Sequence, residues 1–239
     1  KLRPNEDDDQ YARIEVQRYD RLESRYITTG DFSALQQMNT EYPIETRTLI
    51  EKILQLGRVD DPEISNKFLR YYQDTTLQIL VADTEAEYAN MDDINKGLQD
   101  AFDKLKKWLP NLLVPRFYAQ IGSLDQSIVV GDKSVGICLD KYLGEHYPIY
   151  KKYYSSSQIE SMVRTYIVPD CLSFYLLSQY PIDNYDSRTQ IERDLHMGKV
   201  MWVVNKAIGR QFYKTKFVSM VEKFMNSHKN VTVATLLIN

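Results

Sequence analysis

His146, His196 and His228 are the residues to weigh first as metal ligands or general bases, because imidazole serves both roles near neutral pH. A catalytic zinc centre needs three protein ligands and an open position. The His-Glu-x-x-His pattern supplies two of those ligands by setting histidines four residues apart on one helical face. No two of these histidines stand at that spacing, which excludes a zincin active site. A Ca²⁺ loop needs alternating oxygen donors, a central glycine and a terminal Glu, a frame that Asp183-Asn184-Tyr185-Asp186 lacks. Among nine glycines there is no phosphate-cradling, dinucleotide-binding or nucleophile-elbow arrangement. Cys138 and Cys171 lie in apolar runs, where a thiol behaves as a small hydrophobe and not as an exposed nucleophile, and no disulfide between them is expected. No cofactor and no metal is therefore expected.

The polar groups left over are Asp125, Asp132 and Asp140 around a group of short strands, Asp170 after Pro169, and Asp194, His196 and Lys199 on a long helix. Asp140, Asp170, His196 and Lys199 are the candidate cleft residues. Asp140 directly follows a strand, where a carboxylate could face a cleft. Asp170 stands where a helix N-cap would be, and capping is its plainer role. His196 precedes Gly198, whose place inside a helix costs about 1 kcal/mol against Ala and calls for close packing or close ligand approach. The plainer reading of His196 is a satisfied histidine beside a packed contact. General acid–base work by Asp140, Asp170 and His196 would require them within hydrogen-bond reach of one another or of a shared water.

The elements that must position these groups are mostly helical. Ile14, Val16 and Tyr19 alternate with polar residues and predict a short first strand. Asp31 caps a helix carrying Phe32, Leu35 and Met38, and a second helix follows Pro43 and stops at Gly57. Asp61-Pro62 opens a third, with Ile64, Phe68 and Tyr71 on its apolar face. A long helix is predicted from Asp83 to Leu109, with Thr84 and Glu87 as a capping box. Residues 116–121, 127–130 and 134–139 are short β-rich runs separated by turn residues, read as a mainly antiparallel meander joined by the first strand. Ser157 and Glu160 then cap a helix broken by Pro169, residues 169–179 continue as a more apolar helix, and Ser187 and Gln190 cap a long helix to Ile208. A last helix covers 214–227, and the fold of the tail is left open. The fold class is α+β, predominantly helical, with a small mainly antiparallel sheet.

Composition narrows the function classes. A chain of 239 residues with 43% hydrophobic content can bury a core without disulfides or metals. A net charge of -3, with its best basic clusters at Lys104-Lys106-Lys107 and Lys151-Lys152 reading as solvated faces, argues against a nucleic-acid partner. No stretch approaches the roughly 20 apolar residues that span a bilayer. The chain starts at Lys1 and runs into Glu6-Asp7-Asp8-Asp9, so residues 1–10 read as a tether after a removed leader, with a single globular domain over 11–239. Eighteen tyrosines, with pairs at Tyr71-Tyr72 and Tyr153-Tyr154, suit a sugar-binding or protein-binding surface; the plainer alternative is amphipathic packing at the core margin.

Three segments carry a family resemblance. Val135–Gly144 (Val-Gly-Ile-Cys-Leu-Asp-Lys-Tyr-Leu-Gly), Tyr166–Asp170 (Tyr-Ile-Val-Pro-Asp) and Leu195–Lys199 (Leu-His-Met-Gly-Lys) resemble the GldB family of gliding-motility lipoproteins. Ile14–Asp20 and Tyr42-Pro43 fit the same pattern more loosely. The resemblance implies a lipid-anchored, extracytoplasmic protein of the cell envelope, its anchoring cysteine upstream of Lys1 and its only membrane attachment through that anchor. It also implies a zincin-like layout stripped of its ligands, with Asp170 near the first ligand position, Phe174 four residues on and His196 near the third. The function expected from it is non-catalytic: a component of an envelope machinery for gliding or secretion that binds a protein partner. A degenerate hydrolase using Asp140, Asp170 and His196, and a tyrosine-lined carbohydrate-binding module, are the alternatives.

Overall fold

The computed structural model describes residues 13–238, so the expected tether at residues 1–10 lies outside the described residues. Helices hold 60% of the described residues, beside one three-stranded sheet. The chain forms two compact units. The sheet unit takes residues 15–92 and 116–167, and the helical unit takes 13–14, 93–115 and 168–238.

The sheet unit begins with α1 (Tyr19–Thr29), α2 (Phe32–Glu41) and α3 (Pro43–Arg47), the last running into a π-helical turn over Thr48–Ile53. Gly30 ends α1 in the left-handed conformation that glycine adopts without strain. Asp31 caps α2 as expected, accepting the Ser33 N–H at 2.9 Å. Then come α4 (Ile64–Tyr71) and α5 (Thr75–Glu87), the latter capped by Asp74, which accepts from the Thr76 and Leu77 N–H groups. A core of Tyr19, Tyr26, Leu35, Met38, Leu49 and Phe68 fills the space among these helices.

The helix expected from Asp83 to Leu109 is two helices, α5 and α6 (Asp92–Trp108). Thr84 is no cap; its hydroxyl donates to the Leu80 carbonyl inside α5. The break falls at Asn90, whose side chain accepts the Asp92 N–H at 2.8 Å and so offers the backbone an alternative to continuing the helix.

The sheet is mixed, not mainly antiparallel. Strands β1 (Arg116–Gln120), β2 (Ile128–Val130) and β3 (Ser134–Cys138) lie in the order β1-β3-β2, with β1 parallel to β3 and β2 antiparallel to it. Phe117 to Gln120 and Val135 to Cys138 are all buried, the continuous burial of strands covered on both faces. Tyr118 lies opposite Gly136, where a Cβ would stand 2.5 Å from the tyrosine ring. The expected first strand reduces to one parallel bridge from Gln17 to Tyr118, because the chain turns into α1 two residues later.

After the sheet, the helix expected from Ser157 is only α7 (Ser156–Ile159), boxed by Ser155 and Gln158, and a 3₁₀ turn over Arg164–Tyr166 leads to α8 (Ile167–Gln179). Asp170 thus lies within the first turns of α8 and does not cap it. In the helical unit, α9 (Gln190–Ile208) is boxed by Thr189 and Glu192, two residues beyond the expected pair. It packs against α10 (Lys216–Ser227) and α11 (Val233–Ile238).

Gly198 is where α9 and α10 meet. A Cβ there would stand 2.5 Å from the Phe217 Cβ and 3.1 Å from its carbonyl carbon, so close packing accounts for this mid-helix glycine. Alanine gains about 1 kcal/mol of helix propensity but overpacks the contact by about 1–3 kcal/mol. Gly198→Ala is expected to lower the thermal midpoint by a few degrees, measured by circular dichroism; an unchanged or raised midpoint would mean that the two helices part freely.

Candidate functional site

Asp140 lies in the 3₁₀ turn over Leu139–Lys141, two residues beyond the end of β3, and is wholly buried. Its Oδ1 accepts the Gly122 N–H at 2.7 Å and its Oδ2 accepts the Leu124 N–H at 2.9 Å. The same loop is held from its other side by α1 and α4. Glu23 Oε1 accepts the Ile121 N–H at 2.9 Å, and the Tyr72 hydroxyl donates to the Gly122 carbonyl at 2.8 Å. The Tyr154 hydroxyl donates to the Leu124 carbonyl, and Tyr150 donates to the carbonyl of Asp140 itself at 2.5 Å. Leu124 is held at φ 71°, a left-handed conformation that costs a non-glycine residue on the order of 1 kcal/mol and persists only where neighbours enforce it.

This clamped loop is one wall of a cleft of about 490 Å³. Tyr71, at the end of α4, and Leu77, on α5, line the cleft with Tyr153 and Tyr154. Leu124, Ser123 and Asp125 line it from the loop. Tyr153 is 62% exposed at the rim. Lys141 lies over the Tyr154 ring at 4.0 Å, and burial pulls its ammonium below its ordinary value. Burial pushes the Tyr154 phenol up to about 12, so it stays a hydrogen-bond donor across the physiological range.

The other candidate residues belong to the helical unit. Asp170 Oδ1 accepts from the Tyr213 hydroxyl at 3.4 Å, and that hydroxyl is also 3.0 Å from Ser173 Oγ. His196 is buried, with Nε2 2.7 Å from the Tyr180 carbonyl, and burial lowers its pKa. Lys199 lines an apolar groove of about 400 Å³ with Leu195, Met220, Phe224, Val231 and Leu236, and burial lowers its pKa too. Asp140, in the sheet unit, has both carboxylate oxygens committed to backbone donors. Among the described residues, no group of three or more His, Cys, Asp or Glu side chains is placed to hold a metal ion. Both cysteines are free and buried, and burial raises their thiols well above the usual range.

The family model for the gliding motility protein GldB matches residues 2–217. The chain belongs to the GldB family. No curated protein and no solved structure matches it. GldB proteins are lipoproteins of the motility apparatus and not a known enzyme family, and lipid anchoring at the cell envelope follows from that membership. No helix among the described residues is long and apolar enough to cross a membrane.

Sequence reasoning noticed the Tyr71-Tyr72 and Tyr153-Tyr154 pairs but missed Leu124 and Glu23, which help set the cleft wall of this GldB chain. Glu23 reads as an ordinary polar position on a helix, and no local pattern marks a loop clamp assembled from α1, α4 and β3.

Two expectations test the clamp. Replacing Asp140 by Ala strands two buried N–H groups and is expected to cost about 2–6 kcal/mol in urea denaturation, at about 1–3 kcal/mol per orphaned donor; a loss under about 1 kcal/mol would show that the loop holds itself. Burial raises both the Glu23 and Asp140 carboxyls, so the folded state retains protons that the unfolded chain releases. The stability linked to these groups is complete below the ordinary carboxylate range and drains away as pH rises through each folded value. The urea midpoint should therefore fall as pH rises above the ordinary carboxylate range, and Glu23→Gln, which keeps the acceptor for Ile121 and drops the charge, should flatten that fall. Equal slopes in both proteins would remove Glu23 as its source.

Proposed function

We propose that this GldB-family chain is a non-catalytic, protein-binding component of an extracytoplasmic envelope machinery, and that the tyrosine-lined cleft of its sheet unit is the contact surface. One observation carries the reading: a strained loop, clamped around the buried Leu124, places the exposed Asp125 beside Tyr153 and Tyr154. Backbone strain held in place by surrounding structure is characteristic of binding and switching sites. Tyrosine gives large contact area at low entropic cost, with a hydroxyl for pairing at the end of an apolar body. The cleft combines aromatic walls with a few polar groups, as ligand sites do.

The buried groups support binding over hydrolysis. Asp140 is spent on two backbone donors, and His196 is tied to a carbonyl. The tyrosines with Asp125 and Ser123 are also what a carbohydrate module would present, and this second reading rests on the same cleft.

A photo-crosslinking amino acid at position 153, in cells that glide, is expected to trap one discrete envelope protein. Tyr153→Ala should weaken capture of that protein at least tenfold, the loss of one aromatic anchor worth about 1.4 kcal/mol or more, with the melting temperature unchanged. Saturating a glycan array while trapping no protein would transfer the cleft to the carbohydrate reading. Full motility with Tyr153→Ala and no crosslink would end both.

A further inference from the structure

A second surface of the helical unit has no place in that reading. From Lys199 to Lys229 the sequence holds seven Lys or Arg residues and one acid, Glu222, in a protein whose net charge is -3. The cations are spread singly through α9, the connection after it and α10, and the fold gathers them. Lys206, Arg210, Lys214, Lys216 and Lys223 all line one open concavity of about 760 Å³ at the end of α9 and the start of α10. Glu222 is engaged by the Trp202 indole N–H and by Lys206. Among the described residues, Arg210, Lys214, Lys216 and Lys223 have no carboxylate partner.

The outer face of α10 adds an apolar component. Lys216, Met220, Lys223 and Phe224 recur at helical spacing on the side opposite the buried Val218 and Val221. Met220 is 53% and Phe224 42% exposed, and both border the apolar groove that holds Lys199. Large apolar side chains flanked by lysines, with no acid on the exposed stripe, are the composition of a helix that lies in a membrane interface. A bilayer rich in anionic lipid supplies the negative charge that this basic surface lacks, and a family of lipid-anchored proteins works beside a bilayer.

We infer that the exposed face of α10 and the basic concavity beside it form a docking surface for the headgroup region of an anionic phospholipid bilayer. The cations take the phosphates, and Met220 and Phe224 enter the boundary between headgroups and acyl chains. The lipid anchor then attaches the protein while this surface sets which side of the helical unit meets the membrane.

The test is co-sedimentation of the unlipidated 239-residue chain with phosphatidylcholine vesicles containing about one quarter phosphatidylglycerol, beside pure phosphatidylcholine vesicles. Binding is expected to the anionic vesicles alone and to weaken with added salt. Lys216→Gln and Lys223→Gln should each reduce partitioning about fivefold, the effect of one basic residue near an anionic surface. The double variant Met220→Ser, Phe224→Ser should remove the part of the binding that survives high salt. Lys151→Gln with Lys152→Gln, which removes two charges from exposed lysines of the sheet unit, one more than either single variant, should leave partitioning unchanged. Absence of binding to anionic vesicles overturns the proposal, as does equal loss in the Lys151, Lys152 variant. Tight binding to soluble polyphosphate with vesicle binding indifferent to Met220 and Phe224 would also overturn it, in favour of a soluble polyanion.

Discussion

The carboxylate of Asp140 receives the Gly122 and Leu124 N–H groups inside the protein, and the course of the chain around the sheet follows from that pair of hydrogen bonds. Parallel neighbours β1 and β3 end side by side, so a chain leaving β1 must pass over the end of β3 before β2 can pair on its far edge. An irregular crossing of that kind exposes backbone donors to a dry interior, where each unmet one is costly. Asp140, two residues beyond the end of β3, meets two of them, and Glu23 meets a third. The desolvation that raises both carboxyls is the cost of fastening a loop from within.

Where the chemistry is local, the sequence reads well. Helices, the three β runs and the Asp31 cap appear where propensity and spacing put them, and the basis of the GldB resemblance lies in residues that can be quoted. The misreadings come from alternatives that pattern cannot separate. Ser155 with Gln158 and Ser157 with Glu160 are both plausible boxes, as are Thr189 with Glu192 and Ser187 with Gln190, and packing chose the register. Tyr88, Met91 and Ile94 stand three residues apart and are all buried, so apolar spacing runs on through the break between α5 and α6. The unbroken burial of Phe117–Gln120 and Val135–Cys138 was visible as non-alternating sequence, and it marks the parallel pair that was read as antiparallel.

The candidate groups divide by a similar logic. Asp140, Asp170 and His196 attract attention because of what their side chains can do, and the fold uses each as a partner for a neighbouring backbone or hydroxyl group. The surfaces that remain open are a tyrosine pair already marked in the sequence, beside a strained loop, and lysines too dispersed to form a cluster until α9 and α10 pack. Lys104-Lys106-Lys107 and Lys151-Lys152 stood out by adjacency, whereas Lys206, Arg210, Lys214, Lys216 and Lys223 converge in space. Charge gathered by folding is invisible to a scan for runs.

The division of the chain between its two units bears on how the protein is made. The backbone passes from one unit to the other four times, and neither unit is a continuous segment. The helical unit cannot close until α9, α10 and α11 have been synthesised, so much of its apolar surface waits through most of translation. Long-range closure of this kind slows folding. The helical unit therefore reaches its native state only after every residue of the sheet unit has been made.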